Sequence, residues 1–128
     1  MSEPTIGQLE RELSQRIGTL YHALLGQRPS RVICHFFDTQ LAITFENSVT
    51  LAEQTLMQAG KDNLAEKVRL DLDRIIKPQI KQIIEEITEK PVLELIGYTS
   101  LTSGRTAMII ILEQLPQVRN PGAIPKTS

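Results

Sequence analysis

The middle of the chain constrains the fold most. Leu64, Val68, Leu72, Ile75, Ile76, Ile80, Ile83, Ile84 and Ile87 recur there at three- and four-residue steps, with charges between them. That spacing predicts one long amphipathic helix. It separates two segments of another kind, "RVICHFFDTQLAITF" before it and Val92 to about Glu113 after it, both rich in β-branched or aromatic residues. Pro78 stands inside the helical pattern, removes a backbone donor and crowds the carbonyl of Arg74, so a kink or break is expected there. Asp73 and Lys77 have a favourable spacing for pairing on the exposed side.

Each flanking segment reads as a β-hairpin. In the first, Arg31 to Phe37 and Leu41 to Phe45 are joined by a short turn at Asp38-Thr39-Gln40; in the second, Thr102-Ser103-Gly104 forms the turn. Val32, Cys34 and Phe36 share one face of their strand, and Ile33, His35 and Phe37 the other. Apolar groups on both faces predict a sheet covered on both sides, by helices or by a second subunit. "AMIIIL" (107–112) barely alternates and is expected to be buried on both faces. An N-terminal helix carries Ile6, Leu9, Leu13, Ile17, Leu20 and Leu24 on one stripe, with Gly26 and Pro29 placed to end it. A short helix runs from about Leu51 to Ala59 before Gly60. The expectation is an α+β fold ordered helix, hairpin, short helix, long helix, hairpin, with one antiparallel four-stranded sheet and helices packed on it. Residues 1–115 form the domain. The tail 116–128, with Pro121, Pro125 and no periodicity, is expected to be disordered.

At 128 residues the chain fits one domain. With no Trp and few aromatic residues, its core must come from Leu, Ile and Val. The net charge of −1, with both signs interspersed, argues against a nucleic-acid partner. Cys34 is the only cysteine, which rules out an intrachain disulfide and fits a reducing, cytoplasmic setting. The first residues do not have the form of a signal peptide. No apolar run approaches the roughly 20 residues that span a bilayer, so membrane association is expected only peripherally or through a partner.

Chemistry-bearing residues are sparse. Cys34 and His35 are neighbours in a strand and point to opposite faces, so they cannot form a nucleophile–base pair, and His22 adds no metal-ligand spacing. They read more simply as a core Cys and partly exposed His residues. Asp71, Asp73, Glu85, Glu86 and Glu89 share their helix with as many cations and read as a solvated mixed-charge face. No catalytic residue, metal ligand or cofactor is expected. The turns "GQRPSR" and "LTSGRT" could offer Arg28, Arg31 and Arg105 to an anion or nucleotide, although turn chemistry also explains them. In "FENSVTLAEQTL", Thr50 and Glu53 have the S/T-x-x-E form of a capping box, and the acidic neighbours disfavour phosphate.

Several of these segments together resemble the MpsC-like family, named for the C component of a sodium-translocating membrane-potential-generating system. The resemblance begins at the first helix closing on "GQRP". It continues at Thr50 and Glu53 in a T-x-x-E segment, then at Val68-Arg69, Glu85 or Glu86, Thr88 and Val92 along and beyond the long helix, and closes in "TAMIIILE". It covers roughly residues 5 to 113. Gln27-Arg28 and Lys90-Pro91 depart from the family pattern. Gly26, Pro29, Thr50, Glu53, Arg69 and Thr88 hold its structural motif positions. The resemblance implies a non-catalytic accessory or regulatory component of a membrane ion-transport system, cytoplasmic or peripheral to the inner membrane through a transport-protein partner. The apolar content of both hairpins implies a homodimer or larger homo-oligomer. The alternative function is a soluble sensor of an anion or nucleotide.

Overall fold

A computed structural model describes residues 3–126. The elements are α1 (Ile6–Leu25), β1 (Arg31–Phe37), β2 (Gln40–Glu46), α2 (Leu51–Gln58), α3 (Asp62–Thr88), β3 (Val92–Ser100) and β4 (Arg105–Leu112), followed by a single 3-10 turn at Pro121–Ala123. Local chemistry sets several boundaries. Thr5 and Gln8 form a reciprocal capping box at the start of α1, and Gly26 ends it in the left-handed conformation with φ 76°. Thr50 and Glu53 do the same for α2. At the end of α3 the Thr88 hydroxyl donates to the Ile84 carbonyl, and Glu85 reaches forward to accept from the Val92 amide, joining the helix to β3.

The four strands form one antiparallel sheet ordered β1-β2-β4-β3. The two hairpins meet along β2 and β4, where Phe45 stands opposite Thr106 and Leu41 opposite Ile110. The side toward the helices carries Cys34, Phe36, Leu41, Ile43, Phe45, Met108, Ile110 and Leu112, all buried. They pack with Leu9, Leu13, Ile17 and Tyr21 of α1 and Ile76, Ile80 and Ile84 of α3. The Glu10 carboxylate also accepts from the Phe36 amide at 2.9 Å, satisfying a donor on edge strand β1.

Among the described residues the opposite face has no helix on it, so of the two covers expected there, helices or a second subunit, the structure excludes helices. The register sets out its residues in four rows: Arg31, Glu46, Arg105, Ser100; Ile33, Thr44, Ala107, Tyr98; His35, Ala42, Ile109, Ile96; and Phe37, Gln40, Ile111, Glu94. Phe37, Ile96, Tyr98 and Ile109 are 42%, 54%, 74% and 40% exposed. "AMIIIL" is therefore buried on one face only, with Met108, Ile110 and Leu112 inside.

α3 continues through Pro78, so of the kink or break expected there the break is excluded. Pro78 and Arg74 are both exposed, so the backbone group that loses its partner can turn to water. The C-terminal segment, expected to be disordered from residue 116, is packed against the domain as far as it is described. Pro116, Val118 and Ile124 are buried, Arg119 donates to the Pro4 carbonyl, Asn120 accepts from the Ile6 amide, and Asp38 donates to the Pro125 carbonyl. A few apolar side chains at irregular spacing, each with a backbone tie, secure it without any periodic signal. Residues 127 and 128 lie outside the described residues.

Candidate functional site

Apart from Thr88 at the end of α3, the buried polar residues converge where α1, α2, α3 and the β3–β4 hairpin meet. Glu53, completely buried, occupies the third position of α2 because its own helix start holds it: its carboxylate accepts from the Thr50 amide at 3.0 Å and the Thr50 hydroxyl at 2.8 Å. The same carboxylate receives Arg69 of α3 through Nε and Nη2, both at 2.7 Å. Arg69, 4% exposed, also donates to the Ser48 carbonyl at 2.8 Å. This fork-to-carboxylate geometry is the strongest arrangement available to an Arg. It clamps the loop before α2, the start of α2 and the first half of α3 together.

One turn further along α3, the Asp73 carboxylate lies 3.8 Å from Arg69 Nη1, an ion contact without a hydrogen bond. Burial pushes the Asp73 carboxyl upward from its ordinary value, and Arg69 and Lys77 offset part of that. Lys77 donates to the Gly97 carbonyl at 3.2 Å. Asp73 and Lys77 thus face the sheet, correcting the expectation that this spacing belongs to the exposed side. Tyr21 comes in from α1, stacked obliquely on Phe45 with ring centroids 4.7 Å apart. Its hydroxyl lies close to Thr106 without a well-formed hydrogen bond. Burial pushes the phenol up to about 12, with Arg69 pulling it back and Asp73 raising it further. Beside it the hydroxyls of Ser48, Thr106 and Thr99 form a chain with links of 2.7 Å and 2.6 Å.

Three atoms in this cluster have no hydrogen-bond partner: the Tyr21 hydroxyl, Arg69 Nη1 and Asp73 Oδ1. Arg69 and Asp73 line a cavity of about 230 Å³ whose other walls are Met57, Glu66 and Leu70 on the helices and residues 98–102 on the hairpin. Motif and pattern reading found Thr50, Glu53 and Arg69 but not that they touch. It placed Asp73 on a solvated face, where the structure buries it, and did not connect Tyr21 or the three hydroxyls to the cluster. A signal existed for Tyr21, four residues after Ile17 on the buried stripe of α1.

The three arginines proposed from the turns do not converge. Arg28 and Arg31 line one open cleft beside α1, where Arg28 donates to the Thr19 hydroxyl at 2.7 Å. Arg105 lies on the open sheet face, 3.9 Å from Glu46, the residue opposite Arg31 in the ladder. Cys34 is buried, while His35 is exposed on the other face beside Glu10 at 3.6 Å. Burial pushes the Cys34 thiol up to about 11. Glu86 pairs with Arg16 and Asp71 with Arg74 at the surface. Among the described residues no three His, Cys, Asp or Glu side chains are grouped to hold a metal ion.

Residues 5–114 match the family model described as Na+-translocating membrane potential-generating system (MpsC). The chain belongs to the MpsC family. No match is found among curated proteins or solved structures. Thr50, Glu53 and Arg69, the residues of the buried clamp, lie within the matched range. The family description links MpsC to a membrane-potential-generating system. Among the described residues no helix is long and apolar enough to cross a membrane.

Proposed function

We propose that this MpsC-family chain is a non-catalytic accessory component of a membrane ion-transport system. It acts in the cytoplasm or at the inner membrane through protein contacts, as a self-associated unit joined by the open sheet faces. The observation that carries this reading is the face itself: Ile33, Ile96, Tyr98, Ile109 and Phe37 lie in an ordered array with no helix over them. A contiguous exposed apolar surface of this kind marks an interaction site.

Charge placement favours a second copy as the occupant. One end row carries Arg31, Glu46 and Arg105, the opposite end row carries Glu94, and the two rows between them bear no acidic or basic side chain except His35. A two-fold axis running along the rows brings the cationic end of one face over the acidic end of the other. The same axis sets the small side chain of Ala107 opposite Ile109 of the facing sheet, where it leaves room for it. The non-catalytic part of the proposal draws support from the divergence of Cys34 and His35.

Size-exclusion chromatography with light scattering tests the self-association. A dimer at micromolar concentration is expected, becoming monomeric in the folded Ile96→Lys/Ile109→Lys variant. A monomeric wild type, or a variant that stays dimeric, refutes the sheet-face interface. Affinity purification with membranes retained tests the accessory role: recovery of an integral transport subunit is expected, and an exclusively soluble partner set would overturn it.

A further inference from the structure

We propose that the cavity between α3 and the exposed edge of β3 binds a small neutral molecule through an amide edge, either a carboxamide or a ring lactam. Two residues of the cavity wall, Arg69 and Asp73, each hold a buried polar atom without a hydrogen-bond partner, and these set the chemistry. Arg69 Nη1 is a donor and Asp73 Oδ1 an acceptor, 3.8 Å apart, on side chains that are 4% and 12% exposed. A buried polar atom without a partner is costly, and charged ones more so, which favours a ligand that satisfies both. An ammonium group would meet Asp73 but face the Arg69 guanidinium. A carboxylate or phosphate would meet Arg69 but face Asp73, Glu53 and Glu66. An amide, with a carbonyl oxygen beside an N–H, answers the donor and the acceptor together with no net charge.

The strand edge adds a second amide-reading element. In an antiparallel ladder alternate residues turn both backbone groups to the same side. The Gly97 carbonyl is turned outward to Lys77, and the register continues without interruption through Thr99. The amide N–H and carbonyl of Thr99 therefore also face outward at the cavity that Thr99 lines, as a strand edge does toward an added strand. Leu70 and Tyr98, 58% and 74% exposed, flank the mouth and supply apolar cover for a flat ring. At about 230 Å³ the space is smaller than a typical drug-sized pocket, which fits a single ring or a short amide and not a nucleotide.

The test is a 1H–15N NMR titration of the intact protein with nicotinamide as the carboxamide probe and uracil as the lactam probe. Nicotinate and N,N-diethylnicotinamide are the comparators: the first is charged, and the second lacks the donor. At least one probe is expected to shift the amides of residues 98–102 and the Arg69 Nε signal saturably, and whichever binds identifies the source of the amide edge. The comparators are expected to leave them unmoved. Asp73→Ala should weaken binding about tenfold or more, the loss of one hydrogen bond to a charged group. Leu70→Trp, at an exposed rim position outside the buried cluster, should block the mouth to a similar extent without disturbing the fold, so the site stays testable if Asp73→Ala does not fold. No saturable shift with either probe at millimolar concentration refutes the site, as does equal binding of nicotinate or an unchanged affinity in Leu70→Trp. None of these outcomes bears on the sheet-face dimer, whose test variants lie at Ile96 and Ile109, outside the cavity lining; Tyr98 alone belongs to both surfaces.

Discussion

Replacing Glu53 with Ala tests whether the clamp between α2 and α3 is held by charge. The carboxylate is fully buried and accepts four hydrogen bonds, two from Thr50 and two from Arg69. Without it, the Arg69 guanidinium keeps only the Ser48 carbonyl and the more distant Asp73 carboxylate. Breaking a buried ion pair by removing one partner costs about 3–5 kcal/mol, because the remaining charge is left uncompensated. Asp73 lies close enough to offset part of it, which places the expected loss near ~3 kcal/mol, a large share of the roughly 5–15 kcal/mol that holds a domain folded. Urea unfolding followed by far-UV circular dichroism measures this. The Glu53→Leu/Arg69→Met double variant, which removes both charges and keeps apolar volume, should lose less than Glu53→Ala alone. If Glu53→Ala costs under about 1 kcal/mol, or the double variant is the less stable of the two, the clamp does not depend on compensating a buried charge.

Asp73→Asn should alter the pH dependence of stability. The folded carboxyl has a raised pKa, so the native state holds its proton more tightly than the unfolded chain, and this group's contribution falls as pH rises from the unfolded Asp value through the folded one. Urea midpoints taken across that acidic window should show this decline in the wild type and a flatter profile in Asp73→Asn. Gly97→Ala should destabilise by about 1–3 kcal/mol, since the added Cβ would meet Met108 Cγ at 2.7 Å and the Ala107 carbonyl at 3.4 Å; a thermal midpoint equal to wild type would contradict the packing described. Pro78→Ala should raise stability by about 1–2 kcal/mol, restoring a helical N–H at an exposed position, less the entropy it returns to the unfolded chain. Chemical denaturation reads the change, and a decrease would mean that Pro78 supports a shape of α3 that Ala cannot hold.

The fold was readable where one-dimensional periodicity matched burial. The stripe of α1, both hairpins and the Thr50–Glu53 cap follow from spacing and turn chemistry, and the structure reproduces their order and boundaries within a residue or two. Reading failed in the first half of α3, where the apolar pattern assigned Leu64 and Ile75 to the interior. They are 49% and 54% exposed, and Ala65, Arg69 and Asp73 are buried instead. Hydropathy cannot anticipate a buried Arg, because the group that makes its burial tolerable sits on another element. The site shows the same limit: Glu53 was visible as a cap and Arg69 as a motif residue, but one carboxylate serving both depends on how α2 lies against α3. Strand β4 failed for a different reason. Ile109 and Ile111 are as apolar as Met108 and Ile110, and composition does not tell a side covered within the chain from one that is left open.

The strand order also bears on how the chain reaches this structure. Each hairpin closes over a short turn, but the seam between β2 and β4 joins Phe45 to Thr106 across the whole of α2 and α3. Short loops cost little entropy to close, and contacts distant in sequence slow folding. The hairpins and α3 are therefore the local units, and registering β2 against β4 is the step that must wait for them. Until that step is complete, β2 and β4 each present an unpaired edge with β-branched side chains, and a second unfolded chain can compete for it. The seam thus makes folding yield sensitive to protein concentration, a property of the route and not of the finished molecule.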